Sequence, residues 1–169
     1  MKKKLIVTSL LAATVFASAA NAATFNITGS IASTPCVATA ANADIKMPLI
    51  NKANLETTAG GFAAGSITEL KINLANCPNI NQTATVTFTG TADTEDNKAL
   101  KLTGVEGVAL ALFEENGTSQ IDINRAARGQ SLTGTPTKVL KYKAKYVTTS
   151  KTFKEGNATA TLNFDVAYN

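Results

Sequence analysis

Few side chains in this sequence are of kinds that do chemistry, and their spacing excludes most of it. There is no histidine, which removes imidazole acid–base catalysis and His-ligated metals. The two cysteines, Cys36 and Cys77, are not in a C-x-x-C spacing, so a redox centre is not indicated. Asp93-Thr94-Glu95-Asp96-Asn97 gathers oxygen ligands but lacks the glycine and distal glutamate of an EF-hand loop; it reads as a solvated connection. Lys141, Lys143 and Lys145 alternate along one stretch. They could meet a polyanion, but a solvated strand face that discourages edge pairing is the better reading. Serine and threonine are plentiful, yet no G-x-S-x-G or S-x-x-K pattern supports a nucleophile. No catalytic residue, cofactor site or metal site is expected.

What the cysteines do depends on where the chain goes. Lys2, Lys3 and Lys4 precede a mostly apolar run from Leu5 to Ala17, and Ala20-Asn21-Ala22 is an A-x-A cleavage site. Residues 1–22 therefore read as a secretory signal, too short in its apolar run to span a membrane. Cleavage after Ala22 leaves residues 23–169, the size of one domain. It also removes three of the 16 basic side chains, leaving 13 against 12 acidic ones and a net charge of +1. Nucleic acid is not a partner that such a balance suggests. In an oxidising compartment Cys36 and Cys77 are expected to pair. Closing a loop of 41 positions stabilises by roughly 4 kcal/mol in the chain-entropy account.

The elements between and around them have the period of strands. Asp44 to Ile50 reads as a short strand that Pro48 confines to an edge or a break. Asn51 to Gly65 is polar and glycine-rich, a loop. Leu70, Ile72 and Leu74 alternate, with a parity slip before Cys77; Ala84, Val86 and Phe88 mark the next strand. Leu100 and Leu102, then Val108, Leu110 and Leu112, give two more, and Asn116-Gly117 is a hairpin turn signal. Ile121 to Pro136 reads mostly as loop, with a short strand at Ile121 to Ile123 as its one candidate element. Leu140, Tyr142, Ala144 and Tyr146 line one face of a strand over Val139 to Thr148. Short strands with turns between them and no helical period indicate an all-β antiparallel sandwich.

Both ends of the mature chain carry further alternation. From Gly156 to Asn169 apolar side chains fall at Ala158, Ala160, Leu162, Phe164, Val166 and Tyr168, which predicts one long, half-apolar strand. Such an edge is an aggregation hazard unless covered. Its neighbours come either from the same chain or from another molecule. At the other end Phe25, Ile27, Gly29 and Ile31 occupy alternate positions. This is either a first sandwich strand with Gly29 at a bulge or a segment that pairs elsewhere.

A glycine fourteenth from the end, alternating apolar residues and a penultimate tyrosine resemble the C-terminal motif of chaperone–usher fimbrial (type 1-like) pilus subunits. Here those residues are Gly156, Leu162, Phe164, Val166 and Tyr168. The Cys36/Cys77 spacing resembles the disulfide of that family. Phe25-x-Ile27-x-Gly29-x-Ile31, just before the first cysteine, resembles its N-terminal donor-strand extension (residues 23–35). The resemblance covers the mature chain and implies an incomplete immunoglobulin-like antiparallel β-sandwich. That sandwich lacks its last strand and is completed by a donor strand from a chaperone or a neighbouring subunit. It implies that Phe25, Ile27, Gly29 and Ile31 donate, and that Gly156, Leu162, Phe164, Val166, Tyr168 and Asn169 form the acceptor groove and chaperone contact. The partners implied are a periplasmic pilus chaperone, an outer-membrane usher and other pilus subunits, with export through the periplasm to a cell-surface fimbrium. A tip or side-on adhesin that binds a host receptor directly is the alternative function. No cofactor is implied.

Overall fold

A computed structural model describes residues 28–30, 35–150 and 152–169. The chain divides into Met1–Ala32, of which residues 28–30 are described, and Ser33–Asn169. The second unit is built from β1 (Val37–Ala40), β2 (Thr68–Ala75), β3 (Asn81–Thr89), β4 (Leu100–Lys101), β5 (Val108–Glu114), β6 (Gln120–Ile121), β7 (Gln130–Thr133), β8 (Thr137–Thr148) and β9 (Asn163–Tyr168). Every pairing is antiparallel. One sheet runs β1-β2-β8-β5-β4, with β6 also on β5; the other runs β7-β3-β9.

The period-2 pattern decides which faces meet. Leu70, Ile72 and Leu74 of β2 and Leu140, Tyr142 and Ala144 of β8 turn inward against Ala84, Val86 and Phe88 of β3. Phe88 and Tyr142 meet edge to face, centroids 4.9 Å apart, an arrangement favoured by the ring quadrupoles. Cys36 and Cys77 are bonded, tying the start of β1 to the segment after β2. Asn76, between β2 and Cys77, has φ 54°, so the parity slip is a strand end.

Two expectations are corrected and a third is refined. Asp44–Ile50 forms no strand: Pro48 cannot donate to a ladder, and no strand among the described residues pairs with it. Ile121–Pro136 is mostly loop, as expected, with β6 ending at Ile121; the addition is β7, which the single buried Leu132 anchors without leaving a periodic trace. The outer face of β8 is not uniformly wet. Phe62, from the segment before β2, bridges to Val147 and packs edge to face on Phe113. The Lys145 ammonium lies 4.5 Å from the Phe113 centroid and donates to the Gly117 carbonyl at 2.6 Å. Lys145 thus caps a second apolar cluster through a cation–π contact, whereas Lys141 stays exposed.

Burial pushes the Tyr142 hydroxyl from 10.0 up to about 12; the Glu114 charge adds to the rise, and the hydrogen bond from Gln130 opposes it. The folded chain therefore keeps this proton through a window in which the unfolded chain loses it. Stability contributed here is complete below the ordinary tyrosine value and falls as pH rises through about 12. A urea-unfolding midpoint is expected to drop between about pH 9 and pH 11. Tyr142→Phe should lessen that drop, and an undiminished drop would place its origin elsewhere.

Candidate functional site: an apolar groove between the two sheets

The last fourteen residues do not form one strand. Residues 163–168 pair with β3, Phe164 opposite Phe88 and Val166 opposite Val86. The preceding residues pair with the other sheet's side: Thr103 and Thr159 exchange backbone hydrogen bonds of 2.9 and 3.0 Å, and their hydroxyls lie 2.8 Å apart. Glu106 and Lys154 exchange a second such pair. The strand expected over Gly156–Asn169 is thus divided, because Thr159 pairs with Thr103 and residues 163–168 with β3. Between them, residues 160–162 cross from one sheet to the other.

Gly156 makes this crossing possible. Its α-carbon lies so close to Gly104 that a β-carbon would run into the Gly104 carbonyl oxygen, and one on Gly104 would run into the Asn157 carbonyl. Gly104 also has φ +85°, a conformation that side chains disfavour. Two backbones touch here, which only glycine allows.

The crossing leaves a groove of about 620 Å³. One wall is 40–47, the continuation of β1; the other is Ala158, Thr159, Ala160, Leu162 and Phe164. The floor is apolar: Leu70, Ile72, Phe88, Leu100, Leu110 and Tyr146 among others. Among the described residues, none of 42–50 makes a backbone hydrogen bond to another. β9 pairs only on its β3 side. Unpaired backbone on both walls over an apolar floor is a place for an extended strand.

Beyond Phe164 a hydrogen bond links the C-terminal strand to the start of β1. Val166 and Tyr168 pack on the core with Ala38. The Tyr168 hydroxyl donates to the Cys36 carbonyl at 3.3 Å, and burial raises its pKa. Gln82 donates through Nε2 to Cys36 Sγ at 3.6 Å. Asn169 exchanges hydrogen bonds of 2.8 and 3.0 Å with Thr83.

Leu162 and Phe164 therefore line the groove, Gly156 allows the crossing beside it, and Val166, Tyr168 and Asn169 follow them along β9 and its end. Gly29 is exposed and outside any strand; Phe25, Ile27 and Ile31 lie outside the described residues. Sequence reasoning missed the 40–47 wall. Its signal was present in Ile45 and Met47, whose alternation suggested a strand but not which partner it would take.

The family model described as Fimbrial protein matches residues 25–169. This chain belongs to the fimbrial protein family. It is 30% identical over 152 residues to the laminin-binding fimbrial subunit ElfA of Escherichia coli O157:H7, spanning 86% of this chain and 82% of that protein. It is 27% identical over 178 residues to the long polar fimbria protein A of Salmonella typhimurium, spanning 99% and 97%. Among solved structures it resembles the Burkholderia pseudomallei antigen and type I fimbria protein BPSL1626, at 28% identity and TM-score 0.61 over 80% of this chain and 90% of that one. Its fold also matches the P pilus rod subunit PapA, at 22% identity and TM-score 0.67 over 80% and 100%. The immunoglobulin-like sandwich is the fold of these fimbrial subunits.

The Gly104–Gly156 contact yields a direct test. Gly156→Val would force the two backbones apart, at a cost comparable to overpacking, about 1–3 kcal/mol. A lowered urea midpoint is expected, and an unchanged one would mean that the crossing tolerates a side chain.

Proposed function

We propose that this chain is a structural subunit of an adhesive chaperone–usher fimbria, secreted after loss of residues 1–22 and polymerised by strand donation. The observation that carries the reading is the apolar groove with unpaired backbone on both walls. In it a periplasmic chaperone lends a strand, and at the outer-membrane usher the extension of the next subunit replaces that strand. Backbone hydrogen bonds supply affinity and alternate side chains supply selectivity. Phe25, Ile27, Gly29 and Ile31 are the donor residues. Leu162 and Phe164 form the acceptor wall, which Gly156, Val166, Tyr168 and Asn169 hold in place. Filaments reach the cell surface, and no catalytic step is needed.

A second reading, direct binding of a host-matrix protein, rests on the laminin-binding relative ElfA. Retention of purified filaments on immobilised laminin tests it.

An uncovered groove should make the lone mature chain marginal. Expressed in the periplasm without its chaperone, it is expected to aggregate or be degraded, and co-expression should restore it. A monodisperse, protease-resistant monomer would show that the sandwich is already complete.

The donor and acceptor roles separate by substitution. Gly29 shares the parity of Phe25, Ile27 and Ile31 and so faces the same floor when donated. Gly29→Leu would overfill that point, costing typically ~1–3 kcal/mol. It should block filament assembly while chaperone pull-down survives. Leu162→Asp should abolish chaperone capture instead. The reverse pattern would exchange the two assignments.

A further inference from the structure

The hairpin between β5 and β6 carries Asn116-Gly117, the one Asn-Gly pair in the sequence. Such a pair is chemically reactive as well as a turn former. Gly117 has no side chain to shield its peptide nitrogen, so that nitrogen can attack the Asn116 side-chain amide. A bond forms between Gly117 N and Asn116 Cγ, the Cγ–Nδ2 bond breaks, and Nδ2 leaves as ammonia with the proton of the Gly117 N–H. Water then opens the five-membered imide at either carbonyl, leaving aspartate or isoaspartate. Water is consumed and ammonia released, with no other reactant. To reach Cγ, the Asn116–Gly117 peptide has to turn about the Asn116 Cα–C bond, and Gly117 swings with it.

The groups that must move are held. The Gly117 N–H donates to the Glu114 carbonyl at 2.8 Å, and the Glu114 N–H to the Ser119 carbonyl at 2.9 Å. The Asn116 amide is bound at both ends, as asparagine in a turn often is. Its Oδ1 accepts from the Thr118 and Ser119 N–H groups at 2.9 and 3.0 Å, and its Nδ2 donates to Ser119 Oγ at 2.9 Å. The hairpin also folds down on the outer face of β8. Lys145 Nζ donates to the Gly117 carbonyl at 2.6 Å. That ammonium is held in turn by the Phe113 and Phe62 rings, with centroids 4.5 and 5.5 Å away, through cation–π attraction. A β-carbon on Gly117 would lie 3.1 Å from Lys143 Cδ, and the glycine is buried although Asn116 is exposed. We infer that Asn116 is a latent deamidation site, kept closed in the folded chain because Lys145 pins the Gly117 carbonyl. Lys145 is a positioning residue: it touches neither reacting atom and holds the residue that carries one of them. The modification then records time spent unfolded. Isoaspartate lengthens the main chain by one carbon next to a glycine packed on Lys143, so an altered chain refolds with a damaged hairpin.

Peptide mass spectrometry on aged protein tests this, reading the change from amide to acid at residue 116. The mature protein, isolated folded from cells, should deamidate at Asn116 more slowly than the same chain in urea by about tenfold or more, because only the opened fraction reacts. Equal rates would overturn the protection. In the folded protein Lys145→Met should speed deamidation at Asn116 severalfold, and Lys145→Arg, which keeps a cationic donor, should restore the slow rate. A rise shared by all the asparagines would mean that Lys145→Met loosens the whole fold, and an unchanged rate that Lys145 pins nothing; either overturns the lock. Should the variants fail to fold, hydrogen exchange on the wild-type protein decides. The Gly117 amide should exchange far more slowly than in the urea-unfolded chain. Equally fast exchange would show an open hairpin with Asn116 unprotected, and would overturn the proposal.

Discussion

Among the described residues the backbone of 42–50 has nothing to bond to, and much of the structure follows from that. A buried or half-buried peptide group without a partner is costly, so a segment of this kind can only lie at a surface or beside a missing neighbour. Here it lies over Leu70, Ile72 and Tyr146, side chains that an intact sandwich would cover with another strand. The opposite wall has the same deficit, since β9 is bonded on one side only. Two edges facing one another across an apolar floor need one strand rather than two, and each edge alone would be a liability.

What keeps these edges apart, yet in register, is the way the sheets are fastened at one end. The Cys36–Cys77 bond anchors β1 to the end of β2, and Tyr168 ties β9 to Cys36 across the gap between sheets. At the other end the chain crosses over Gly104 and Gly156, where backbone meets backbone. The groove is open between these two fixed points, so its length is set by covalent and steric constraints rather than by the strength of any one contact. Lys145 and the Phe62–Phe113 pair hold the segment before β2 against β5 and β8 on the far face.

Sequence periodicity revealed the strands whose partners lie within the chain. Leu70-x-Ile72-x-Leu74, Ala84-x-Val86-x-Phe88 and Leu140-x-Tyr142-x-Ala144 each show the face they bury. It overstated the last strand, because alternation reports which face is apolar and says nothing of which sheet supplies the hydrogen bonds. Thr159 and Val166 continue one pattern and pair with different sheets. The same limit explains Asp44–Ile50, where alternation is real but no described strand pairs with it. β7 failed for the opposite reason: it is held by its pairing with β3 and buries one leucine, too little for a period. Of the candidate site, the apolar wall at Leu162 and Phe164 was legible, and so was the importance of Gly156. Its physical role was not, since contact with Gly104 is a property of the fold.

The size of the missing contribution has a consequence for how such a chain exists at all. Burying Phe25, Ile27 and Ile31 in a neighbour is worth roughly 5–9 kcal/mol at ~1.5–3 kcal/mol each, and each added backbone bond contributes about 0.5–1.5 kcal/mol more. A domain of this size typically has a net stability of about 5–15 kcal/mol. The strand that completes the sandwich therefore carries a contribution as large as the stability of the whole fold. Completion by another molecule is then not a docking event between two finished proteins but the last step of folding, taken in trans. Only an occupant that supplies both the apolar side chains and the two sets of backbone bonds can replace another one.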